Sequence, residues 1–584
     1  MLSHHYALAS AFALLSSLCS STRASPVIPS TDANSTSNAT CRYLPGDPEW
    51  PDEKAWASLN RTVGGRLIRG VPLGQPCYSP AYDGGSCSRI CNEWTSLTPF
   101  VDDPVNVMSP YWMNDTCNPF LASSNTGSCS LGNLGQYAIN VASPDDVMAG
   151  IRFAKGKNVR LTIKNTGHDF LGRSTGKGSL ALWTHNLKEV TFIDSYQSRF
   201  YSGPAVRVGA GVEYGEVYPI ASARGYRVVG GASSSVGVAG GFTQGAGHGP
   251  LGSAYGLAAD QVLEWEVVTA ADDVVTASPV RNSDLYWALT GGGPGNYAVV
   301  LSATVKVYPD GPVAGAGFSF TNTGDTTAYW SAVRAWFQHM LVLDTVAGLS
   351  TVFTLTAKSF SLVFSTLPDS PTTSAIDAAL APFLRQLAKL NVSVGTSYES
   401  NVHADFASHY DYWTPRMQYV SNITLGSSLI PHASVRDPNT LTALVATFRD
   451  ITAGGALVLS VGLNVSNKTH PDNSVLPAWR DALFTTTFAR PLSTDASVDA
   501  IKRNQAQLNA WQDQLRDAKG GVGGAYMNEA TWDNAHWKSD YFGSNYHALL
   551  DIKKKYDRRR VFWANAAVGS EDWAYAGDGR LCPV

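Results

Sequence analysis

Between Lys164 and Leu182 the chain reads KNTGHDFLGRSTGKGSLAL, which places an imidazole at His168 directly after Gly167, a carboxylate at Asp169 and a Gly-Lys-Gly run at Gly176 to Gly178. Three chemistries use such residues. A phosphate-binding P-loop needs four residues between its first glycine and a Gly-Lys pair, then Ser or Thr, so that backbone N–H groups wrap the phosphates and the hydroxyl takes magnesium. Gly172 to Gly176 leaves three, and Gly178 follows Lys177, so this reading fails on spacing. A dinucleotide fingerprint fares no better, because Gly209-Ala210-Gly211 is followed by Val212-Glu213-Tyr214 where a third glycine should open the helix. A metal site would want a partner at helical spacing, which His168 and Asp169 lack, so no metal is expected. What remains is a strand ending in Asn165-Thr166-Gly167, whose small side chains let backbone amides approach a phosphate, with a nucleophilic imidazole one residue on.

The elements around this loop must deliver it. Asp145-Asp146 can cap a helix running to about Lys155, after which VRLTIKN alternates as a strand and Leu180 to Phe192 reads as further strand. AVRVGAGVEYGEVYPIASARGYRVVGG repeats strand, helix, strand. QVLEWEVVTAADDVVTAS reads as a hairpin turning near Asp272-Asp273, and SDLYWALTGGGPGNYAVVLSATVKVYP as a helix, a glycine turn and a strand. From about Val313 to Asp513 longer helical runs (Thr326 to Leu343, Ser374 to Leu390, Asp495 to Leu515) interleave with strands such as Ser350 to Phe364 and Ala456 to Val465, an α+β texture. HADFASHYDYWTPRMQ, His403 to Gln418, reads either as a pocket wall or as buried core.

ASPDDVMAGIRFAKGKNVRLTIKNTGHDFLG resembles the start of the flavin domain in the vanillyl-alcohol-oxidase superfamily, close to the berberine-bridge-enzyme-like secreted oxidases. SSSVGVAGGFTQGAGHG, YGLAADQVLEWEVV, LYWALTGGGPGNYAVV and YFGSNYHALLDIKKKYDRRRVF resemble later blocks of that family, in the same order. The resemblance implies a two-domain PCMH-type FAD-binding fold, α+β, with an antiparallel sheet plus helices forming the substrate domain. It implies FAD bonded covalently through His168, with Lys164, Asn165, Thr166, Gly167 and Asp169 around it, Ser233, Val236, Gly237, Gly240 and Gly241 in the glycine-rich segment, Val262 on the next strand and Asn545 near the end. Many relatives carry a second link from a cysteine at the position of Ser233; serine cannot form that thioether, so a single linkage is expected. Val236 stands where the family's residue faces the oxygen-reactive side of the flavin, and reads either as the small residue that an oxidase carries there or as a valine packed in a strand. Tyr526 of AYMNEA, with Asn528 beside it, occupies the position of a recurrent catalytic tyrosine; it reads as the base or as a core tyrosine under the ring, since a phenol pKa near 10 needs help to act at neutral pH. The implied reaction oxidises a CH–OH donor, an alcohol or sugar, with O2 as acceptor; a dehydrogenase using another acceptor, a carbohydrate oxidase, a secondary-metabolite oxidoreductase or a flavoprotein with little turnover are the alternatives.

Composition narrows the setting. A net charge of −4 over 584 residues, with no block of like charges, gives no footprint for nucleic acid or a membrane surface, and a monomer is expected. The apolar stretch Tyr6 to Leu18 ahead of Thr22 and Ala24 reads as a secretory signal, short of the roughly 20 residues a bilayer needs. Sequons at Asn34, Asn38, Asn60, Asn114, Asn391, Asn422, Asn464 and Asn467 suit a secreted glycoprotein. Of eight cysteines Cys19 lies in that leader, and Cys41, Cys77, Cys87, Cys91, Cys117 and Cys129 read as disulfides stapling a loop-rich segment, with Cys582 left over. The expected organisation is a signal over 1–24, a stapled segment over 25–132, an FAD-binding domain over 133–312, a substrate domain over 313–514 and a C-terminal return to the FAD domain over 515–584.

Overall fold

The computed structural model describes residues 40–113, 117–121, 129–416, 422–466 and 471–584. The proposed signal and the sequons at Asn34, Asn38, Asn114 and Asn467 lie outside them. Contacts divide the chain into Met1–Thr40 and Cys41–Val584, and every helix and strand among the described residues belongs to the second unit.

The fold is mixed α and β. A four-stranded sheet runs in the order Leu67–Arg69, Tyr137–Asn140, Leu180–Trp183, Leu161–Lys164, antiparallel at the first pair and parallel thereafter. The crossover between its parallel strands is the helix Pro144–Lys157. Its N-cap is Ser143, with Pro144 opening the helix, and Asp146 lies in the first turn, where its carboxylate accepts from the backbone N–H of Ala142 and Ser143. Asn158, at φ 49°, ends the helix in the left-handed conformation that suits asparagine. The helix therefore starts before Asp145-Asp146 and runs past Lys155.

A second, antiparallel sheet orders Val190–Gln197, Ser202–Gly209, Ala298–Pro309, Val262–Thr269 and Val274–Ala277, with Tyr226–Val228 pairing against the far end of Ala298–Pro309. The expected hairpin is its edge, turning where Asp272 takes φ 71°. Leu180 to Phe192 is not one strand: it divides between the first two sheets. The core under this second sheet includes Val206, Trp265, Val267 and Leu285, and the late residues Tyr541, Phe542 and Leu549 complete it. The indole N–H of fully buried Trp265 donates to Thr290 Oγ1 at 2.9 Å. Fully burying such a side chain contributes about 1.5–3 kcal/mol.

A seven-stranded antiparallel sheet comes next along the chain, in the order Glu399–His403, Val313–Thr321, Ser359–Pro368, Ser350–Leu355, Leu457–Gly462, Ala482–Pro491, Ile423–Pro431. Ser350 to Phe364 is thus a hairpin of two strands. The period of two in strand side chains gives this sheet two faces. Phe353, Val458, Phe484 and Phe488 pack with Trp336, Phe337 and Phe448 of the helices Thr326–Leu343 and Pro438–Ala453. Their neighbours Val352, Leu457, Leu459, Thr485, Thr487 and Ala489 face the other way. The second and third sheets are tied by Arg480, whose guanidinium donates to both carboxylate oxygens of Asp260 at 2.8 Å.

Disulfides join Cys41 to Cys582, Cys77 to Cys87 and Cys117 to Cys129. Cys582 is therefore not the odd one out; Cys91 is. Sequence separation hid this, because Cys582 reaches Cys41 only after the chain has folded back on itself. Asn391 is exposed, whereas Asn422 is buried and donates its amide to Leu492 O. Among the described residues no helix is long and apolar enough to cross a membrane.

Candidate functional site

One cavity of about 760 Å³ is walled by the loop after Leu161–Lys164, the glycine segment Gly231 to Pro250, the outward face of the seven-stranded sheet, and Tyr526, Asn528 and Glu529 of the C-terminal segment. Of the sequence-predicted residues, Asn165, Thr166, Gly167, His168, Asp169, Ser233, Val236, Gly240, Gly241, Tyr526 and Asn528 line it.

His168 follows Gly167, which sits at φ 81° and turns the chain off its strand. His168 Nε2 lies 2.8 Å from Ser235 Oγ. Burial, and then the positive Lys164, pull the imidazole pKa down to about 4 against the lifting effect of that serine, so the ring is neutral across the physiological range. Asp169 is consumed locally: its carboxylate accepts from Leu171 N at 2.9 Å and from Ser174 N and Oγ at 2.8 Å, which fixes the loop.

The glycine segment passes under this loop without side chains in the way. A Cβ on Gly237 would land 2.1 Å from Asn165 Oδ1, and one on Gly240 2.9 Å from it. Asn165 donates through Nδ2 to Ala210 O, yet its buried Oδ1 accepts from no protein group. The turn Gly291 to Asn296 clips onto the same segment, Gly291 N and Gly293 N donating to Gln244 O at 3.1 and 3.0 Å.

At the other end Asn528 donates to Gly241 O at 2.8 Å and to the Tyr526 hydroxyl at 2.9 Å, and accepts from Arg173. Arg173 also donates to Asn565 O and Ala566 O. Burial, reinforced by Glu529, pushes the Tyr526 phenol well above its ordinary pKa of 10.

Four expected residues stand outside the cavity wall. Lys164 is fully buried and turns away, its ammonium donating to the carbonyls of Phe100 (2.9 Å), Val101 and Asp103; burial lowers its pKa to about 8. Gly237 sits behind the wall against Asn165. Val262 is fully buried at the start of its strand, in the core. Asn545 donates to Ser474 O and Val475 O. The aromatic run from His403 stays out of the cavity wall and is core only in part: Phe406, His409, Tyr410 and Trp413 are buried, Tyr410 packing on Tyr218 and donating to Ala232 O and His409 meeting Thr366, whereas Tyr412 is exposed; residues 417–418 of that run lie outside the described residues. Three residues at the site escaped sequence reading, namely Ser235, which contacts His168, and the cavity-lining His248 and Glu529. The last two stand inside the motifs GAGHG and AYMNEA, but only folding brings them together.

A sequence model of the FAD binding domain matches residues 136–278, and one described as berberine and berberine like matches residues 525–569. Over 565 residues the chain is 41% identical to the bifunctional decalin synthase calF of Penicillium decumbens, covering 94% of this chain and 96% of that protein. The chain belongs to the VAO-type, berberine-bridge-like flavoproteins. The FAD-linked oxidoreductase patO of Penicillium expansum is 39% identical, with 93% of this chain and 95% of that protein covered. The crystal structure of the VAO-type flavoprotein MtVAO615 from Myceliophthora thermophila C1 shares the fold at a TM-score of 0.89 and 39% identity, covering 93% of this chain and 100% of that one. As a member of this family the chain is an FAD-dependent oxidoreductase, and the site suits FAD: bare glycine backbone, an orphaned buried acceptor at Asn165 and a neutral imidazole meet in one wall.

Proposed function

We propose a secreted oxidase that converts a CH–OH donor and O2 into a carbonyl compound and H2O2, with FAD bonded once, through His168. FAD, when bound, supplies a two-electron acceptor for the donor's hydride and hands the pair to O2. The observation that carries this reading is that the His168 loop and the outward face of the seven-stranded sheet wall the same cavity, so a cofactor attached there shares that space with an organic molecule.

The chain's own residues do the rest. Ser235 holds Nε2 of His168, leaving Nδ1 as the nitrogen for the flavin bond. Ser233 lines the wall with a hydroxyl where a cysteine would form a second link. Val236 leaves room for O2. Tyr526, its phenol held protonated, positions substrate by donating a hydrogen bond, and Asn528 anchors it. Leu425, Leu457, Leu459, Val461, Leu362 and Val352 offer an apolar surface, which suits an alcohol with an apolar body better than a sugar whose hydroxyls would go unpaired. The FAD-binding part is taken as 133–312, the substrate part as 313–514, with 515–584 completing the first and 25–132 stapled against it. Secretion, glycosylation at exposed sequons and a monomeric state belong to the same reading.

Two measurements test it. The purified protein should keep a fluorescent flavin through denaturing electrophoresis and release peroxide with some member of a panel of alcohols and oligosaccharides; a colourless denatured band, or no peroxide with any donor, defeats it.

A further inference from the structure

Asp169 and Arg173 line the cavity with their charges spent on their own surroundings. Among the described lining residues that leaves one further formally charged side chain, Glu529, and beside it His248. Glu529 Oε2 accepts from Thr487 Oγ1 at 2.9 Å, which pins the carboxylate to the sheet's cavity face. His248 Nε2 lies 3.4 Å from Oε1, within ion-pair reach but poorly aligned for a hydrogen bond, and neither ring nitrogen has a hydrogen-bond partner although both are buried. The imidazole is held between Tyr526, at 4.9 Å between ring centres, and Trp479, at 5.7 Å. An acid–base pair fixed by packing, open to the cavity through the carboxylate and incompletely satisfied, is arranged for proton transfer; such contacts tighten when substrate arrives.

We propose that Glu529, backed by His248, is the group that takes the substrate's hydroxyl proton, and this rests on the alcohol-oxidising reading above. The O–H bond breaks toward a Glu529 oxygen, the carbonyl forms, and the C–H hydrogen leaves with its electron pair to the flavin. The proton passes from Glu529 to His248 and later to solvent. Burial would raise the carboxyl's pKa, but His248 and the Thr487 hydroxyl outweigh it and hold it below the usual glutamate value, so the acceptor is ionised at neutral pH. The titratable groups facing Glu529 are His248 from the glycine segment and Tyr526 from its own segment; the strand Ala482–Pro491 contributes only the neutral Thr485 and Thr487.

The test compares the natural holoenzyme with Glu529→Gln and Glu529→Asp. In anaerobic stopped flow with benzyl alcohol, cinnamyl alcohol, cyclohexanol and decan-1-ol, Glu529→Gln should slow flavin reduction by about 10²–10⁴-fold, the range for a positioned base, with little change in KM. Its acid limb, which in the natural enzyme lies below the ordinary glutamate range, should vanish, and Glu529→Asp should restore part of the rate. Reduction within threefold of the natural rate, or an unchanged pH profile, overturns the proposal. Binding is read separately from flavin absorbance at pH 7: Glu529→Gln should bind benzoate about tenfold more tightly than the natural protein while benzamide changes less than twofold. A variant that gains nothing for benzoate overturns the placement. If no alcohol reduces the natural flavin, the alcohol-oxidising reading falls, and the benzoate comparison still judges where Glu529 faces.

Discussion

On the proposed reading His168 bonds to flavin as a neutral ring, and its surroundings keep it neutral. Burial and Lys164 both oppose its protonation, and Lys164, expected at the cofactor, acts from behind the wall. As pH falls through about 4 the ring gains a proton and loses the lone pair that would bond to flavin; above that it is free to react. FAD-free protein incubated with FAD should therefore acquire covalent flavin nearly as well at pH 5 as at pH 7, read as gel fluorescence, and an attachment that halves near pH 6.5, the value for an ordinary histidine, contradicts this. Val236 carries a second expectation. One added methyl group in a packed wall costs about 1–3 kcal/mol, so Val236→Leu should slow reoxidation by O2 roughly tenfold while flavin reduction by substrate changes less than threefold; equal slowing of both removes Val236 from this role. That His168, Ser233 and Val236 meet in one cavity wall was legible from sequence because each sits in a local motif. Ser235, His248 and Glu529 were not, since their meaning arises from partners as far apart as Thr487 and Glu529.

At the scale of elements, periodicity is a sound guide where one face is buried and the other is not. The helix Thr326–Leu343 and the hairpin Val262–Ala277 stand where their patterns put them. Helix starts are harder, because Ser143 and Pro144 set the end that Asp145-Asp146 would mark. The two-faced strands of the large sheet are the least legible: Val352 and Phe353 are both apolar, so nothing in their residue types says that one walls a cavity and the other packs on helices. The glycine segment yields a prediction of its own. Gly237→Ala would put a methyl carbon 2.1 Å from an Asn165 oxygen whose side chain is already tied to Ala210, so Asn165 must move. A cost of about 1–3 kcal/mol is expected, together with a lower flavin content per chain in purified protein. A variant with full flavin content and an unchanged melting temperature would mean the segment tolerates bulk there.

For the molecule as a whole, the last stretch of the chain returns to the first. Lys553 donates to Asn296 O and Phe562 O at 2.6 Å, Asn296 donates to Val568 O, and Cys582 closes on Cys41. Removing a native disulfide typically costs about 2–5 kcal/mol, so Cys41→Ser with Cys582→Ser should melt at a lower temperature while the Cys91→Ser variant does not; equal melting of the double variant and the natural protein would show that packing alone holds the ends. The return of the tail is legible in the sequence, but its disulfide is not. The same closure sets an order of events during synthesis. Tyr526, Asn528 and Glu529, part of the cavity lining, leave the ribosome long after His168, so a growing chain that already exposes His168 lacks that part of the lining. Flavin retention is therefore expected to follow synthesis of the C-terminal segment, and chains arrested before Gly520 should carry less flavin per chain than the 584-residue chain, read as flavin absorbance.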